Sequence, residues 1–469
     1  MKNIYLISIV AMSVLVFFNT GCKNKSKEYQ PTTTIVEGHI TSPPALVIIL
    51  RGTHEIKGTI DQEGKFFIQT ELDKSGIYTL EVGDQKMHVF IVPGDRISLI
   101  TDYRDPFAGA PFKGSHALEN NYLVHFENLK SESEPKDFQK FFSMKEPEFV
   151  KAVETRQQVF LDDQQEYQKK NGPFDEIFAE LISEELSYDA AILKMNYPEY
   201  YEYLMPDSTL VLTDSYESFF QNLEIDRHEQ LFVPSFKEFI TSYLHFKTAS
   251  DTNQVDTPLP VRTFDNISTL FTDPELKSLL YYNLMKETIE QSINDASMLV
   301  DKYRNAQTNT QYLDEINQLY LTWDHLIKGK TAPGFEYFSI QNKKVSLESL
   351  RGKVIYIDVW ATWCGPCLRE LPALEKLETS FTGSDKIAFV SISLDQDKTA
   401  WQTMVKEKNM HGIQLFAEGN WSSTLATDYL IQSIPRFIII GTDGKILDAN
   451  APRPSEEKIY AILKTASES

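Results

Sequence analysis

Residues 363–367 read Trp-Cys-Gly-Pro-Cys and hold two of the three cysteines in a chain of 469 residues. Two thiols separated by two residues serve one of two purposes, half of a tetrahedral metal site or a disulfide that opens and closes. The metal use needs two more ligands. The sequence has no second Cys-x-x-Cys pair, and its nine histidines show no His-x-x-x-His spacing near the cysteines. Redox chemistry is therefore the leading reading, with zinc held by scattered residues as the alternative. One acid belongs with the pair. Asp358 stands six positions before Cys364 in the otherwise apolar run Val354-Ile-Tyr-Ile-Asp-Val-Trp360. Burial there would raise its pKa and let it take or give a proton while a nearby S–H ionises. The competing reading is a solvated acid at a strand end.

The elements that must position these groups are legible around them. From Lys330 onward short β-branched runs alternate with helical stretches, the pattern of an α/β layer fold. Val354–Val359 and Ile387–Ser393 are dense apolar runs, as central strands buried on both faces should be. Arg436–Ile440 is a third, followed by the turn Gly441-Thr442-Asp443-Gly444 and an edge strand Lys445–Ala449. The first of these strands delivers Cys364 to the first turn of a helix whose apolar stripe is Leu368, Leu371, Leu374, Leu377 and Phe381. The helix dipoles would face the sulfur and favour thiolate over thiol, so that Cys364 could attack a disulfide at neutral pH. Cys367, one turn further in, would attack the resulting mixed disulfide and release the reduced partner. Pro366 fits an early helical position, and Pro372 should kink the helix.

In these residues, over about 331–465, the chain resembles the thioredoxin superfamily, and within it the TlpA/ResA-like thiol:disulfide oxidoreductases of bacterial envelopes. The strand ending in Asp358-Val-Trp360, the motif Trp363-Cys364-Gly365-Pro366-Cys367, the stretch Leu368-Arg369-Glu370-Leu371-Pro372 and the later Ser433-Ile434-Pro435 match its landmarks in order and spacing. The resemblance implies a thioredoxin-like fold with Cys364 as nucleophile and Cys367 as resolving thiol. It makes Asp358 the buried proton acceptor and Glu370 an acid that tunes the thiols and the choice of partner. Ile434-Pro435 would be a cis-proline loop opposite the cysteines, presenting backbone to the substrate together with Trp363, Gly365 and Pro366. The insertion Asp395–Tyr429 would be the extra element that separates these domains from plain thioredoxin. No cofactor is implied beyond the redox-active disulfide itself. The Gly-Pro dipeptide is the thioredoxin form, associated with a reducing couple. The function expected is reduction of protein disulfides in envelope proteins, apocytochrome c cysteines or misoxidised proteins among them, with electrons from a membrane thiol donor of the DsbD/CcdA type. The alternatives are a disulfide isomerase or oxidase whose other domains hold clients, and a non-catalytic binding or scaffold lipoprotein.

The start of the chain supplies the compartment. Lys2, the apolar run Ile4–Phe18 and the sequence Asn19-Thr20-Gly21-Cys22 before a polar, Lys-rich stretch read as a bacterial secretion signal, the run being shorter than the ~20 residues a spanning helix needs. It resembles a lipoprotein signal, which implies a lipid on Cys22 and a periplasm-facing, membrane-anchored protein in a Gram-negative envelope; an ordinary cleaved signal is the alternative. The net charge of −21 argues against nucleic acid. From Thr331 onward there are 15 basic and 17 acidic residues, so −19 of that charge lies in the first 330. The chain is thus expected to be multidomain. After a signal at 1–22 and a tether at 23–33, it should form a small β-sandwich-like domain at 34–112, a mostly α-helical domain at 113–329 and the thioredoxin-like domain at 330–469. Six strands are expected in the β domain, with turns at Asp61-Gln62-Glu63-Gly64 and Pro93-Gly94-Asp95. In the helical domain, prolines should punctuate the helices, the aromatic residues of Asn196–Leu204 and Tyr281–Leu284 should be core, and Thr248–Pro260 should be an exposed loop.

Overall fold

Period-two alternation in the N-terminal region becomes two four-stranded sheets in a computed structural model that describes residues 33–468 without 53, 222 and 251–256. The signal, Cys22 and all but the last residue of the tether lie outside the described residues. The strands are β1 (Thr33–Thr41), β2 (Val47–Arg51), β3 (Glu55–Thr59), β4 (Lys65–Glu71), β5 (Gly76–Val82), β6 (Gln85–Ile91), β7 (Arg96–Asp102) and β8 (Phe112–Gly114). One sheet runs β4-β1-β7-β8 and the other β3-β2-β5-β6. Inward positions such as Val36, Ile48, Leu50, Ile68, Ile97 and Leu99 are buried, while their neighbours in sequence are more exposed. All six expected strands are present. The two that the pattern did not reveal are β3, an edge strand without a single buried residue, and the three-residue β8. Both turns form, with Gly64 and Gly94 at positive φ, but each carries the chain from one sheet to the other. Gly38 is required where β1 pairs with β7, since a Cβ there would stand 1.9 Å from the Leu99 carbonyl oxygen. The helix α1 (Ala117–Glu132) is pinned to this unit by Asn120, which is fully buried and bonds both the N–H and the C=O of Phe90.

Residues 33–130 with 171–178 form one compact unit, and 131–170 with 179–468 a second. The second begins with helices: α2 (Phe138–Phe142), α3 (Glu146–Asn171), α4 (Glu176–Leu204), α5 (Asp214–Gln221), α6 (Pro234–Ser250), α7 (Leu259–Leu270), α8 (Pro274–Gln291), α9 (Ile293–Ala306) and α10 (Thr310–Trp323). Pro234 and Pro274 open their helices, where the missing N–H costs nothing. Pro198, by contrast, lies inside α4 and does not end it. An internal proline costs ~3 kcal/mol. Here Tyr197 and Tyr201 on either side of it are buried against Phe141, Phe149 and Tyr216, with Tyr197 stacked on Phe149 at 4.0 Å, and that packing holds the helix through the defect. Thr248 departs from the expected loop as well: it is fully buried in the last turn of α6, where its hydroxyl donates to the Leu244 carbonyl. The middle of that loop, 251–256, lies outside the described residues.

The C-terminal part of the same unit is an α/β layer. Its elements are β9 (Glu336–Ser339), β10 (Lys344–Ser346), β11 (Val354–Trp360), α11 (Gly365–Ser380), β12 (Ile387–Ser393), α12 (Lys398–Glu407), β13 (Ile413–Phe416), α13 (Thr424–Asp428), β14 (Arg436–Ile440), β15 (Ile446–Asp448) and α14 (Lys458–Glu468). The sheet order is β10-β9-β13-β12-β11-β14-β15, with β11, β12 and β13 parallel and β14 antiparallel to β11. Every residue of β11 and β12 is buried, as their unbroken apolar sequence requires. On one face Val354, Tyr356, Phe389, Phe437 and Ile439 meet Leu374 and Leu377 of α11 and Ile459 and Leu463 of α14. The helical region is tied to this layer by the His325 imidazole on the Asp428 carbonyl at 2.9 Å, the Asn450 amide donating to the Gln291 carbonyl, and the Arg436 guanidinium over the Trp323 ring.

Candidate active site

The central strand β11 ends at Trp360, and the chain must turn sharply to start α11 five residues later. Cys364 is the N-cap of that helix, with extended backbone, and its N–H donates to the Ala361 carbonyl at 3.1 Å. Cys364 and Cys367 are joined as a disulfide. The Cys367 amide points at Cys364 Sγ at 3.2 Å, so the N–H of the third helical residue serves the sulfur in place of the usual capping oxygen. When the disulfide is open, that donor and the helix field behind it favour negative charge on Cys364. Both cysteines are buried, at 4% and 2% exposure, in an apolar cluster with Trp360, Trp401, Val405 and Phe416. The rim is open: Gly365 and Pro366 are exposed, and Trp363 is 59% exposed with its ring 6.5 Å from Trp421. Pro366 lies in the first helical turn and Pro372 inside the helix.

The Ile434–Pro435 bond is cis, and the Ile434 carbonyl oxygen lies 3.7 Å from Cys364 Sγ. A carbonyl facing the sulfur from a segment seventy residues away is an acceptor that an extended peptide could use on reaching the disulfide. Asp358 is buried two residues before the end of β11. It shares the strand face of Tyr356, which packs toward α11 and α14, and of Trp360, which packs with the cysteines. Desolvation pushes its carboxyl up to about 7, opposed by a hydrogen bond from Ser391 and assisted by the negative charges of Glu378 and Glu370. Glu370 itself turns away from the rim. Its carboxylate accepts from the Ser455 N–H at 3.2 Å and hydroxyl at 3.0 Å, with Arg453 at 3.8 Å, and so ties α11 to the segment before α14. The structure thus brings Cys364, Cys367, Trp363, Gly365, Pro366, Ile434 and Pro435 together at one surface, with Asp358 beneath them. Glu370 stands at a flank. Among the described residues no third His, Cys, Asp or Glu joins the cysteines in a cluster able to hold a metal.

One residue of consequence escaped the sequence reading. Asp395, buried just after β12, accepts from the Thr362 N–H at 3.0 Å, from the Thr362 hydroxyl at 2.6 Å and from the Ser393 hydroxyl at 2.7 Å. It fixes the turn that carries Trp363 and Cys364. The signal was the same as for Asp358, an acid abutting an apolar strand, but it stood at the strand's end, where solvation is the ordinary expectation. Asp395→Ala strands three donors, so we expect a loss of roughly 2–4 kcal/mol in urea unfolding and about tenfold slower disulfide reduction from misplacement of Cys364. Unchanged stability would show that the turn holds without it.

Comparison with known proteins concerns this last domain. The thioredoxin-like family profile matches residues 352–446. The thiol-disulfide oxidoreductase ResA of Bacillus anthracis is 25% identical over 136 residues, 29% of this chain and 76% of the relative. The thioredoxin-like protein YneN of Bacillus subtilis is 30% identical over 145 residues, 29% of this chain and 78% of the relative. Among solved structures, a thiol-disulfide oxidoreductase from Bacteroides fragilis is 29% identical and aligns with a TM-score of 0.27, covering 29% of this chain and 98% of the other.

Proposed function

We propose, from the premise that the chain belongs to the thioredoxin-like thiol-disulfide oxidoreductases through its C-terminal domain, that it reduces protein disulfides by exchange through Cys364 and Cys367. The observation that supports this reading best is the position of Cys364 Sγ, held by the Cys367 amide at a helix N-terminus and faced by the Ile434 carbonyl. Cys364 thiolate attacks a substrate sulfur, forming a mixed disulfide and expelling the other substrate sulfur as a thiolate. Cys367 then attacks Cys364 Sγ, the internal disulfide forms, and the second substrate sulfur leaves. The Cys367 proton passes to Asp358. Two electrons have moved from the dithiol to the substrate. Trp363, Gly365, Pro366, Ile434 and Pro435 offer the surface on which the substrate backbone lies, and Glu370 orients α11 through Ser455.

The compartment and partners follow the same reading. The chain is anchored by lipid at Cys22, faces the periplasm of a Gram-negative envelope, acts on disulfides of envelope proteins such as apocytochrome c, and is recharged by a membrane thiol donor of the DsbD/CcdA type. The deciding experiment is the midpoint potential of the Cys364–Cys367 couple in protein from Lys23 onward, equilibrated in graded dithiothreitol or glutathione buffers. A value near thioredoxin's, about −270 mV, supports a reductase; one near −180 or −120 mV replaces it with an isomerase or oxidase. A pair that never forms a disulfide ends all three.

A further inference from the structure

The face of the sheet beneath the cysteines carries a row of buried polar side chains that a hydrophobic core does not need. Asp358 on β11 lies opposite Ser391 on β12, and Ser391 opposite Gln414 on β13. Cross-strand partners point to the same face, so the three side chains form a line across the sheet. All three are buried, at 4%, 2% and 4% exposure. The Ser391 hydroxyl bonds Asp358. Gln414 donates to the His411 carbonyl, but its Oε1 has no partner among the described residues, an unusual state for a buried acceptor. Gln414 lines a cleft of about 160 Å³ between α11 and the β13 approach, bordered also by Leu368, Leu371, Glu378, Lys408 and His411. The volume suits a few water molecules, and the orphaned acceptor supplies one of the bonds such water needs. Glu378 lies three turns along α11 from Cys367, and its Oε1 would stand 2.7 Å from a Cβ at Gly412, so its carboxylate is pressed against the entry to β13. Its charge is felt at Asp358, and its side chain lines this cleft.

We propose that Asp358, Ser391, Gln414 and Glu378 form the route by which the proton released by Cys367 reaches solvent, with Glu378 as the relay at the cleft. The route rests on the dithiol exchange proposed above. In the step it serves, the Cys367 S–H gives its proton to the Asp358 carboxylate as Cys367 Sγ bonds to Cys364 Sγ and the Cys364–substrate bond breaks. Cys367 regains a proton when the disulfide is reduced again, so over repeated cycles the carboxyl exchanges its proton with solvent, and an acid sealed among Tyr356, Trp360 and Phe437 does not exchange it directly. Glu378 is suited to receive it, since burial and the neighbouring Glu375 push its carboxyl up to about 7, level with Asp358. The other charges around the pair are Glu370 on α11, Glu456 beyond Tyr356, and, around Glu378, Lys353, Lys408 and His411. No cation is bonded to either carboxylate among the described residues.

The test is the steady-state rate of model-disulfide reduction by the chain, kept reduced by excess dithiothreitol, across pH 5–9, in H2O and D2O, for the parent and for Glu378→Gln, Ser391→Ala and Gln414→Leu. Glu378→Gln removes a negative charge that raises the Asp358 carboxyl, so the acid limb of its profile should move to lower pH, while the plateau falls three- to tenfold and recovers with added imidazole. Ser391→Ala removes a hydrogen bond to the carboxylate and should move the limb to higher pH. Gln414→Leu should leave the limb in place, lower the plateau and enlarge the solvent isotope effect. Opposite limb shifts in the first two variants are not produced by loosened packing. A parent that turns over, with Glu378→Gln matching it in limb, plateau and isotope effect, overturns the route alone. A parent inactive at every pH removes the exchange chemistry and the route with it.

Discussion

Cys364→Ser is expected to abolish disulfide reduction, with a loss of at least roughly 10³-fold, while Cys367→Ser is expected to hold a client covalently. The asymmetry follows from position. A serine at 364 still caps α11 and still receives the Cys367 amide, so the fold is kept, but its hydroxyl is not ionised by that field and cannot attack sulfur. At 367 the loss comes one step later. Cys364 remains just under the exposed Trp363 and Pro366 and still forms the mixed disulfide, but nothing behind it can break that bond. Insulin turbidity measures the first variant. Non-reducing gels of the second, mixed with an oxidised client, should show an adduct that dithiothreitol dissolves and that Cys364→Ser fails to form. Equal turnover in Cys364→Ser and the parent would end the assignment of catalysis to this pair. An adduct through Cys364→Ser would move the nucleophile elsewhere.

Much of this arrangement was legible because burial and backbone geometry leave marks in sequence. Val354–Trp360 and Ile387–Ser393 are covered on both faces, so their apolar runs are unbroken and their strands stand where the pattern put them. Asp358 was visible for the same reason, as the one polar residue in such a run. The legible signal weakens wherever a residue is held by partners distant in sequence. Asp395 looks like a loop acid until Thr362 is brought to it across 33 residues. Ser391 and Gln414 pass as ordinary strand residues until the register sets them in line with Asp358. Glu370 carried a motif that placed it beside the thiols; the structure shows it bonded to Ser455, 85 residues on. Pro198 misled in the other direction, since a local rule about proline yields to aromatic packing that no local window contains.

Asp358→Asn should make the protein more stable and less active, an opposition that arises because a buried acid near its own titration point is a stability cost retained for chemistry. In the unfolded chain the carboxyl ionises around 3.8, whereas in the fold burial holds it to about 7. Between those values the native state binds the proton more strongly than the unfolded state, so stability falls as pH rises from about 4 to about 7. Below that window the group is neutral in both states and costs nothing; above it the full difference is lost. A shift of this size corresponds to about 4 kcal/mol. Asparagine keeps the shape and the capacity to bond Ser391 but never ionises. The stability difference between Asp358→Asn and the parent should therefore be near zero at pH 4, grow through neutrality and level off above pH 7, as read from urea midpoints at each pH. A difference independent of pH would mean that Asp358 is solvated when charged. The rate moves the other way. Attack by Cys367 needs an acceptor for its proton, and the nearest buried base is gone, so release of the mixed disulfide should slow by roughly 10²-fold. In the parent the same step should accelerate as pH rises through about 7, where Asp358 becomes free to accept, and the variant should lose that limb. If resolution of the mixed disulfide kept its rate and its acid limb in Asp358→Asn, the base would lie elsewhere and Asp358 would be only a buried burden on the fold.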